Sequence, residues 1–103
     1  LDWIPWQGDS SQLISQGKIS EPIGQAEASP HNIDVVITPA LQIDAKGYRL
    51  GQGGGYYDRA LSTLHAWKIA LIFPQEFSAH LLPREDHDVA VNAYATYEKI
   101  IRF

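Results

Sequence analysis

The sequence contains no cysteine, no methionine, no long apolar run and no excess of basic residues. Without cysteine there is no disulfide framework, no thiolate metal site and no thiol nucleophile, which is typical of a cytoplasmic protein. No apolar run approaches the ~20 residues of a membrane-spanning helix, and no signal segment opens the chain. We therefore predict a cytoplasmic protein that does not bind membranes.

The charge balance argues against nucleic acid as a partner. Twelve acidic residues outnumber eight basic ones, which gives a net charge of −4, whereas nucleic-acid binding requires a basic patch. A local anion site is still compatible with this balance, because Lys46, Arg49 and Arg59 lie close together in the sequence. The length of 103 residues and the 45% apolar content are those of one globular domain.

Two apolar runs predict the central strands of a sheet. Residues 33–39 are mostly β-branched and show no polar alternation, which predicts a central strand buried on both faces of a parallel sheet. Residues 67–73 predict a second buried strand, and Pro39 and Pro74 end the two runs. Residues 56–65 predict a helix, 89–96 and 98–103 two further strands, and 12–18 a single helical turn. The fold class is therefore α/β, with a mainly parallel, Rossmann-like sheet and flanking helices. We predict one domain over residues 1–103, with 1–32 an irregular lead-in and 33–103 the sheet–helix core.

A glycine-rich segment lies between the first strand and the helix. Four of the eight glycines fall within five positions of the run Arg49-Leu50-Gly51-Gln52-Gly53-Gly54-Gly55-Tyr56-Tyr57-Asp58-Arg59. The spacing matches neither the dinucleotide fingerprint GxGxxG nor a Walker A loop. Free backbone N–H groups before a helix favour an anion site. Asp58 is open to two interpretations, as a ligand of Mg²⁺ or as a complement to the helix dipole.

This run resembles the 5-formyltetrahydrofolate cyclo-ligase (methenyltetrahydrofolate synthetase) family. The resemblance rests on residues 34–40, on Asp44 and Gly47, and above all on residues 49–59, with Leu82-Pro83, His87-Asp88 and Glu21-Pro22 adding to it. It implies a truncated version of the family's three-layer α/β/α fold. It also implies an ATP-dependent reaction that converts 5-formyltetrahydrofolate to 5,10-methenyltetrahydrofolate. ATP phosphorylates the formyl oxygen, and the second folate nitrogen then attacks with loss of phosphate.

The resemblance also implies the site residues, with ATP and Mg²⁺ as cofactors and a reduced folate as substrate. The loop of Arg49, Leu50, Gly51, Gln52, Gly53, Gly54, Gly55, Tyr56 and Tyr57 binds the ATP phosphates. Its middle, from Gln52 to Tyr56, borders the folate, and Asp58 binds Mg²⁺. Arg49 and Tyr56 take the catalytic roles, which consist of positioning and charge stabilisation.

The chain departs from the family pattern in two ways. It lacks the family's N-terminal ATP and substrate segments, so it resembles the C-terminal half of an enzyme. We expect either self-association or pairing with a complementary N-terminal half. Asn92 replaces the second metal-binding aspartate of some members. The alternative hypothesis is a stand-alone nucleotide- or anion-binding module without turnover.

Overall fold

The computed structural model divides the chain into two compact units, Leu1–His31 and Asn32–Phe103. It describes residues 3–17, 19–22, 24, 32–51 and 56–103. The single domain predicted over residues 1–103, with 1–32 a lead-in, stays a prediction. No helix among these residues is long and apolar enough to cross a membrane.

The described elements are nine short strands and one α-helix. In chain order they are β1 (Leu13–Gln16), β2 (Ile19–Pro22), β3 (Val35–Pro39), β4 (Gln42–Asp44), β5 (Arg49–Leu50), α1 (Tyr56–Leu61), β6 (Trp67–Leu71), β7 (Phe77–Ser78), β8 (Ala93–Ala95) and β9 (Ile100–Arg102). Short 3-10 turns occur at Ser10–Gln12 and Pro74–Glu76.

The first unit contains a regular hairpin where the sequence predicted an irregular lead-in. Strands β1 and β2 pair antiparallel, so the helical turn predicted over residues 12–18 is wrong. A 3-10 turn does occur just before β1, where the carboxylate of Asp9 accepts hydrogen bonds from the N–H and the hydroxyl of Ser11, at 2.9 and 2.8 Å. These bonds lower the pKa of the Asp9 carboxyl. After the 3-10 turn, pairing with β2 stabilises the short polar stretch more than an isolated helical turn would, because such a turn is only marginally stable in water.

The second unit is built on a mixed four-stranded sheet in the order β3-β6-β8-β9. The pairs β3–β6 and β6–β8 are parallel, and β8–β9 is antiparallel. A three-stranded sheet in the order β5-β4-β7 lies beside it in the same unit. All four strands predicted in this unit are present, each shorter than the sequence suggested. The predicted helix is also present, but it ends at Leu61.

The position predicted for β3 is wrong. Among the described residues β3 lies at the edge of the sheet, and its side chains alternate between exposed and buried. Val36 and Thr38 are buried, whereas Val35 and Ile37 are 53% and 68% exposed. A β-branched run shows that a strand suits burial on both faces, but it does not show whether the same chain supplies both covering layers.

The outer face of the sheet, which we define as the face bearing Val35, is rich in exposed apolar side chains. Strand alternation and register place on it an exposed set consisting of Val35, Ile37, Pro39, Trp67, Leu71 and Ile100. Ile69 and Ala93 lie between them and are buried. The guanidinium of Arg102 lies 5.8 Å from the ring centre of Trp67. This face is therefore only partly covered by the described residues.

The opposite face of the sheet carries the core of the second unit. Its centre consists of Ile43, Ala70, Ile72, Val91 and Tyr94. The ring of Phe77 stacks on that of Tyr94 at 5.1 Å, which brings β7 against β8. The core therefore joins the four-stranded sheet to the β4–β7 strands, and these hold the hairpin that leads into the glycine-rich loop.

Candidate functional site

The β4–β5 hairpin is held by a buried carboxylate. Asp44 is 1% exposed, and its Oδ1 accepts hydrogen bonds from the N–H groups of Lys46 and Tyr48 at 2.9 and 3.0 Å. Its Oδ2 accepts from the N–H of Leu82 at 3.0 Å. Three backbone donors satisfy the buried charge. Asp44 thereby fixes the backbone immediately before Arg49 and attaches it to the segment that follows β7.

An ion pair joins the two ends of the glycine-rich loop. Arg49 lies on β5 before the loop, and Asp58 lies in the first turn of α1 after it. Arg49 Nη2 is 3.5 Å from Asp58 Oδ1, and the two side chains are only 4% and 14% exposed. Removing one partner of such a buried pair costs roughly 3–5 kcal/mol. The pair therefore connects residues on either side of the loop through an interaction that solvent and salt screen only weakly.

The guanidinium of Arg49 has further neighbours on either side. It lies 5.2 Å from the ring centre of Tyr57, within the range of a cation–π interaction. A Cβ on Gly51 would stand 3.1 Å from Nη1 of Arg49, so the absent side chain at Gly51 leaves space for the guanidinium. Nε of Arg49 is buried, and no described residue accepts its hydrogen bond.

The two carboxylate oxygens of Asp58 differ in their contacts with the described residues. Oδ1 receives both the Arg49 contact and a hydrogen bond from the N–H of Val89 at 3.2 Å. Oδ2 has no hydrogen bond to any described residue. The contacts of Oδ1 thus orient the carboxylate.

The sequence analysis did not predict that the segment between β7 and β8 supports the site. Val89 contacts Asp58, Leu82 contacts Asp44, and the guanidinium of Arg84 lies 4.2 Å from the ring centre of Tyr48. The likeness of Leu82-Pro83 and His87-Asp88 to the family's closing segment was the available signal. Contacts between backbone groups far apart in sequence leave no residue pattern of their own.

The structure brings together only part of the predicted loop. Arg49, Leu50, Gly51, Tyr57 and Asp58 are described and lie at the two ends of the loop. Gln52, Gly53, Gly54 and Gly55 lie outside the described residues, as does the side chain of Tyr56. Their predicted contacts with ATP and folate therefore stay predictions.

Asn92 has a structural contact. Its Oδ1 accepts a hydrogen bond from the N–H of Lys68 at 2.7 Å, and its own N–H donates to the Lys68 carbonyl at 2.8 Å. The amide thus joins the start of β8 to β6. Within the described ranges there is no group of three or more acidic, histidine or cysteine side chains that could hold a metal ion.

Comparison with known proteins decides the family. A sequence model of the 5-formyltetrahydrofolate cyclo-ligase family matches residues 1–97. The chain belongs to the 5-formyltetrahydrofolate cyclo-ligase family. It is 32% identical over 107 residues to the 5-formyltetrahydrofolate cyclo-ligase of Escherichia coli K12, an alignment that covers 97% of this chain and 57% of the relative. The Haemophilus influenzae cyclo-ligase is 39% identical over 96 residues, which cover 86% of this chain and 48% of the relative.

A solved structure of similar shape supports the same assignment. The NMR structure of Aquifex aeolicus 5,10-methenyltetrahydrofolate synthetase superposes with a TM-score of 0.73 at 29% identity and covers 91% of this chain. The match takes in 48% of the Aquifex chain. The chain therefore spans about half the length of the relatives that it matches.

Proposed function

We propose that this chain carries the phosphate-binding and metal-binding half of an ATP-dependent 5-formyltetrahydrofolate cyclo-ligase site. The observation that carries the proposal is the buried Arg49–Asp58 pair at the two ends of the glycine-rich loop, in a chain whose family is named for this activity. A cytoplasmic location stays a prediction.

The described residues fit both groups that the family's reaction requires. Asp58 offers Oδ2 to Mg²⁺, a hard cation that in nucleotide sites takes one or two carboxylates together with phosphate oxygens. Arg49 offers a positive charge and an Nε–H donor that no described residue accepts, and a guanidinium suits phosphate oxygens. When bound, Mg²⁺ would offset the negative charge of the phosphates.

The protein's part in the proposed reaction is positioning and charge stabilisation. The loop from Arg49 to Tyr57 holds the ATP phosphates, and Gln52 to Tyr56 border the folate. The formyl oxygen of 5-formyltetrahydrofolate attacks the terminal phosphorus of ATP, and ADP leaves. The second folate nitrogen then attacks the activated carbon and loses its proton, and phosphate leaves as the methenyl bridge forms. Arg49 and Tyr56 are the proposed catalytic residues, and no protein nucleophile is needed.

We propose that a further layer packs on the outer face of the sheet. Six exposed apolar side chains lie on this face, and such patches often mark interaction sites. A three-layer α/β/α arrangement would cover it in a full-length family member. In the isolated chain we propose that a second copy covers it, and that a complementary N-terminal half competes with this self-association.

The test supplies the segment of a relative that the alignment with this chain does not cover. The chain is mixed with the remaining segment of the Escherichia coli relative, ATP, Mg²⁺ and 5-formyltetrahydrofolate, and the methenyl product is followed by its absorbance. We expect product formation that Asp58→Asn lowers at least ~100-fold, because the metal ligand is lost. Asp86→Asn, the same change at an exposed position, should leave the rate unchanged.

Two results would contradict the proposal. One is the absence of product when circular dichroism shows that both segments are folded. The other is an equal rate for Asp58→Asn and Asp86→Asn. Nucleotide binding without product would support the alternative of a binding module.

A further inference from the structure

One segment between β7 and β8 is attached to the chain on both sides of the glycine-rich loop. We call residues 82–89 the bridging segment. At its start, the N–H of Leu82 donates to Oδ2 of Asp44 at 3.0 Å, in the hairpin before the loop. At its end, the N–H of Val89 donates to Oδ1 of Asp58 at 3.2 Å, in the helix after the loop. The two carboxylates are therefore connected through this segment.

Asp44 has no part in the proposed reaction, since its side chain is 1% exposed and its hydrogen bonds come from backbone N–H groups. We infer that Asp44 is a positioning residue of the site. It acts on Arg49 through the backbone of Tyr48, and on Asp58 through the bridging segment. The inference rests on the proposed function, because positioning alters turnover only if this site carries out the reaction.

The first route runs through the hairpin. Oδ1 of Asp44 accepts a hydrogen bond from the N–H of Tyr48 at 3.0 Å, and Tyr48 directly precedes Arg49. The guanidinium of Arg84, in the bridging segment, lies 4.2 Å from the ring centre of Tyr48 and adds a second contact to this residue. The side chain of Arg49 is only 4% exposed. Because close-packed groups transmit displacements, a shift of the hairpin moves the guanidinium of Arg49 relative to Asp58.

The second route runs through the bridging segment, whose backbone has little freedom to absorb a displacement. Pro83 fixes one backbone angle. A turn follows, in which the N–H of Asp88 donates to the carbonyl of Glu85 at 3.0 Å. The N–H of Glu85 donates in return to Oδ2 of Asp88 at 2.8 Å. Release of Leu82 should therefore be transmitted to Val89.

The experiment removes one attachment of the bridging segment with an isosteric variant. Asp44→Asn keeps one side-chain oxygen for the two N–H groups of the hairpin and places an N–H₂ group opposite the N–H of Leu82. Two donors cannot form a hydrogen bond with each other, so this end of the segment is released. Amide hydrogen exchange of the full chain is recorded by NMR for the wild type and the variant, at a temperature where circular dichroism shows both to be folded.

Two N–H groups report the result. That of Val89 has its bond to Asp58 and none to position 44, whereas that of Asn92 donates to a carbonyl of β6 and reports on the sheet. We expect Asp44→Asn to lower the protection of Val89 at least ~10-fold more than that of Asn92. Thr96→Ala is the control variant, since it also removes an acceptor of two backbone N–H groups, in the β8–β9 turn. It should affect both reporters equally.

Equal losses of protection at Val89 and Asn92 in Asp44→Asn would overturn the inference, since they indicate a less stable fold without coupling. If Asp44→Asn does not fold, the wild type decides the question through exchange measured at increasing denaturant. The N–H groups of Leu82 and Val89 should then show the same free energy of opening, as members of one cooperative unit do. Different opening free energies at these two positions would overturn the inference.

Turnover separates this inference from the proposed function. The chain is mixed with the segment of the Escherichia coli relative described above, at saturating ATP and 5-formyltetrahydrofolate. We expect Asp44→Asn to lower kcat at least ~10-fold, because misplaced groups lose their alignment with the transition state, and to change the KM values less than kcat. Thr96→Ala should leave both unchanged. An unchanged kcat in Asp44→Asn would overturn the inference. If the wild type forms no product, the proposed function fails, and the exchange experiment still decides whether Asp44 and Asp58 are coupled.

Discussion

Replacing Gly47 tests the turn of the β4–β5 hairpin, which lies just before Arg49. The φ angle of Gly47 is +85°, and an added Cβ would stand 2.6 Å from the carbonyl oxygen of Val91 and 3.0 Å from a ring carbon of Phe103. Real Cβ atoms do not come that close to backbone oxygens, so Gly47→Ala must displace Val91, β9 or the hairpin. The N–H of Val91 also donates to the Gly47 carbonyl at 2.8 Å, and that bond would be disturbed.

The expected loss has two parts. A non-glycine residue in the left-handed region costs roughly 1–2 kcal/mol, and overpacking a fitted site costs roughly 1–3 kcal/mol more. We therefore expect Gly47→Ala to lower the free energy of unfolding by about 3 kcal/mol. In a chain of this size the melting temperature should fall by about 15 °C. Thermal and urea unfolding followed by circular dichroism would measure both quantities.

A matched control separates the backbone angle from the clash. Gly8 has a φ of +86°, and nothing lies within 4 Å of an added Cβ there. Gly8→Ala should therefore cost only the backbone part, about 1 kcal/mol. Equal losses at the two positions would refute the steric argument. Truncating Phe103 to alanine should relieve only part of the Gly47→Ala loss, because the Val91 oxygen is the nearer neighbour.

Three further variants probe the other contacts. Asp44→Asn places an N–H₂ group among three N–H donors, so we expect a loss of roughly 2–3 kcal/mol in urea unfolding; a loss under ~0.5 kcal/mol would show that the contacts to Lys46, Tyr48 and Leu82 contribute little. Asn92→Asp keeps an oxygen for the Lys68 N–H and should be nearly neutral, whereas Asn92→Ala should cost about 1 kcal/mol; equal losses would contradict that bond's role. Ile37→Lys should shift the isolated chain towards monomer in light scattering, and a wild type that is already strictly monomeric would refute self-association through the outer face.

Local sequence was sufficient to predict the secondary-structure elements that have strong residue patterns. Within residues 33–39 and 67–73, β-branched and apolar residues suit a strand and form β3 and β6. Pro39 is the last residue of β3, and Pro74 follows the second run. The hairpin of the first unit was missed, since residues 12–18 are polar and weakly patterned. The edge position of β3 was also missed, because a strand's neighbours are decided by contacts across the whole fold.

The site was predictable to the extent that it is local. The run from Arg49 to Asp58 could be found from its glycines and from its likeness to the family. The pairing of its two charged ends could not, since each was matched to a ligand of the opposite sign and not to the other. The supporting bonds from Leu82 and Val89 use backbone N–H groups, which every residue except proline carries, and so they have no sequence signature.

The sequence of β3 and the length of the matched relatives both bear on whether a further layer covers the outer face of the sheet. A strand paired in parallel is normally covered on both faces, and β3 has the composition for it, yet Val35 and Ile37 are exposed. The matched relatives are about twice as long. We propose that another segment or chain packs against these two exposed side chains. If so, polar substitutions at Val35 and Ile37 should change the stability of the monomer by no more than about 0.5 kcal/mol, at a concentration where light scattering shows no self-association, and should weaken association with an N-terminal half. The same change at the buried Val36 should unfold the chain whether or not that half is present.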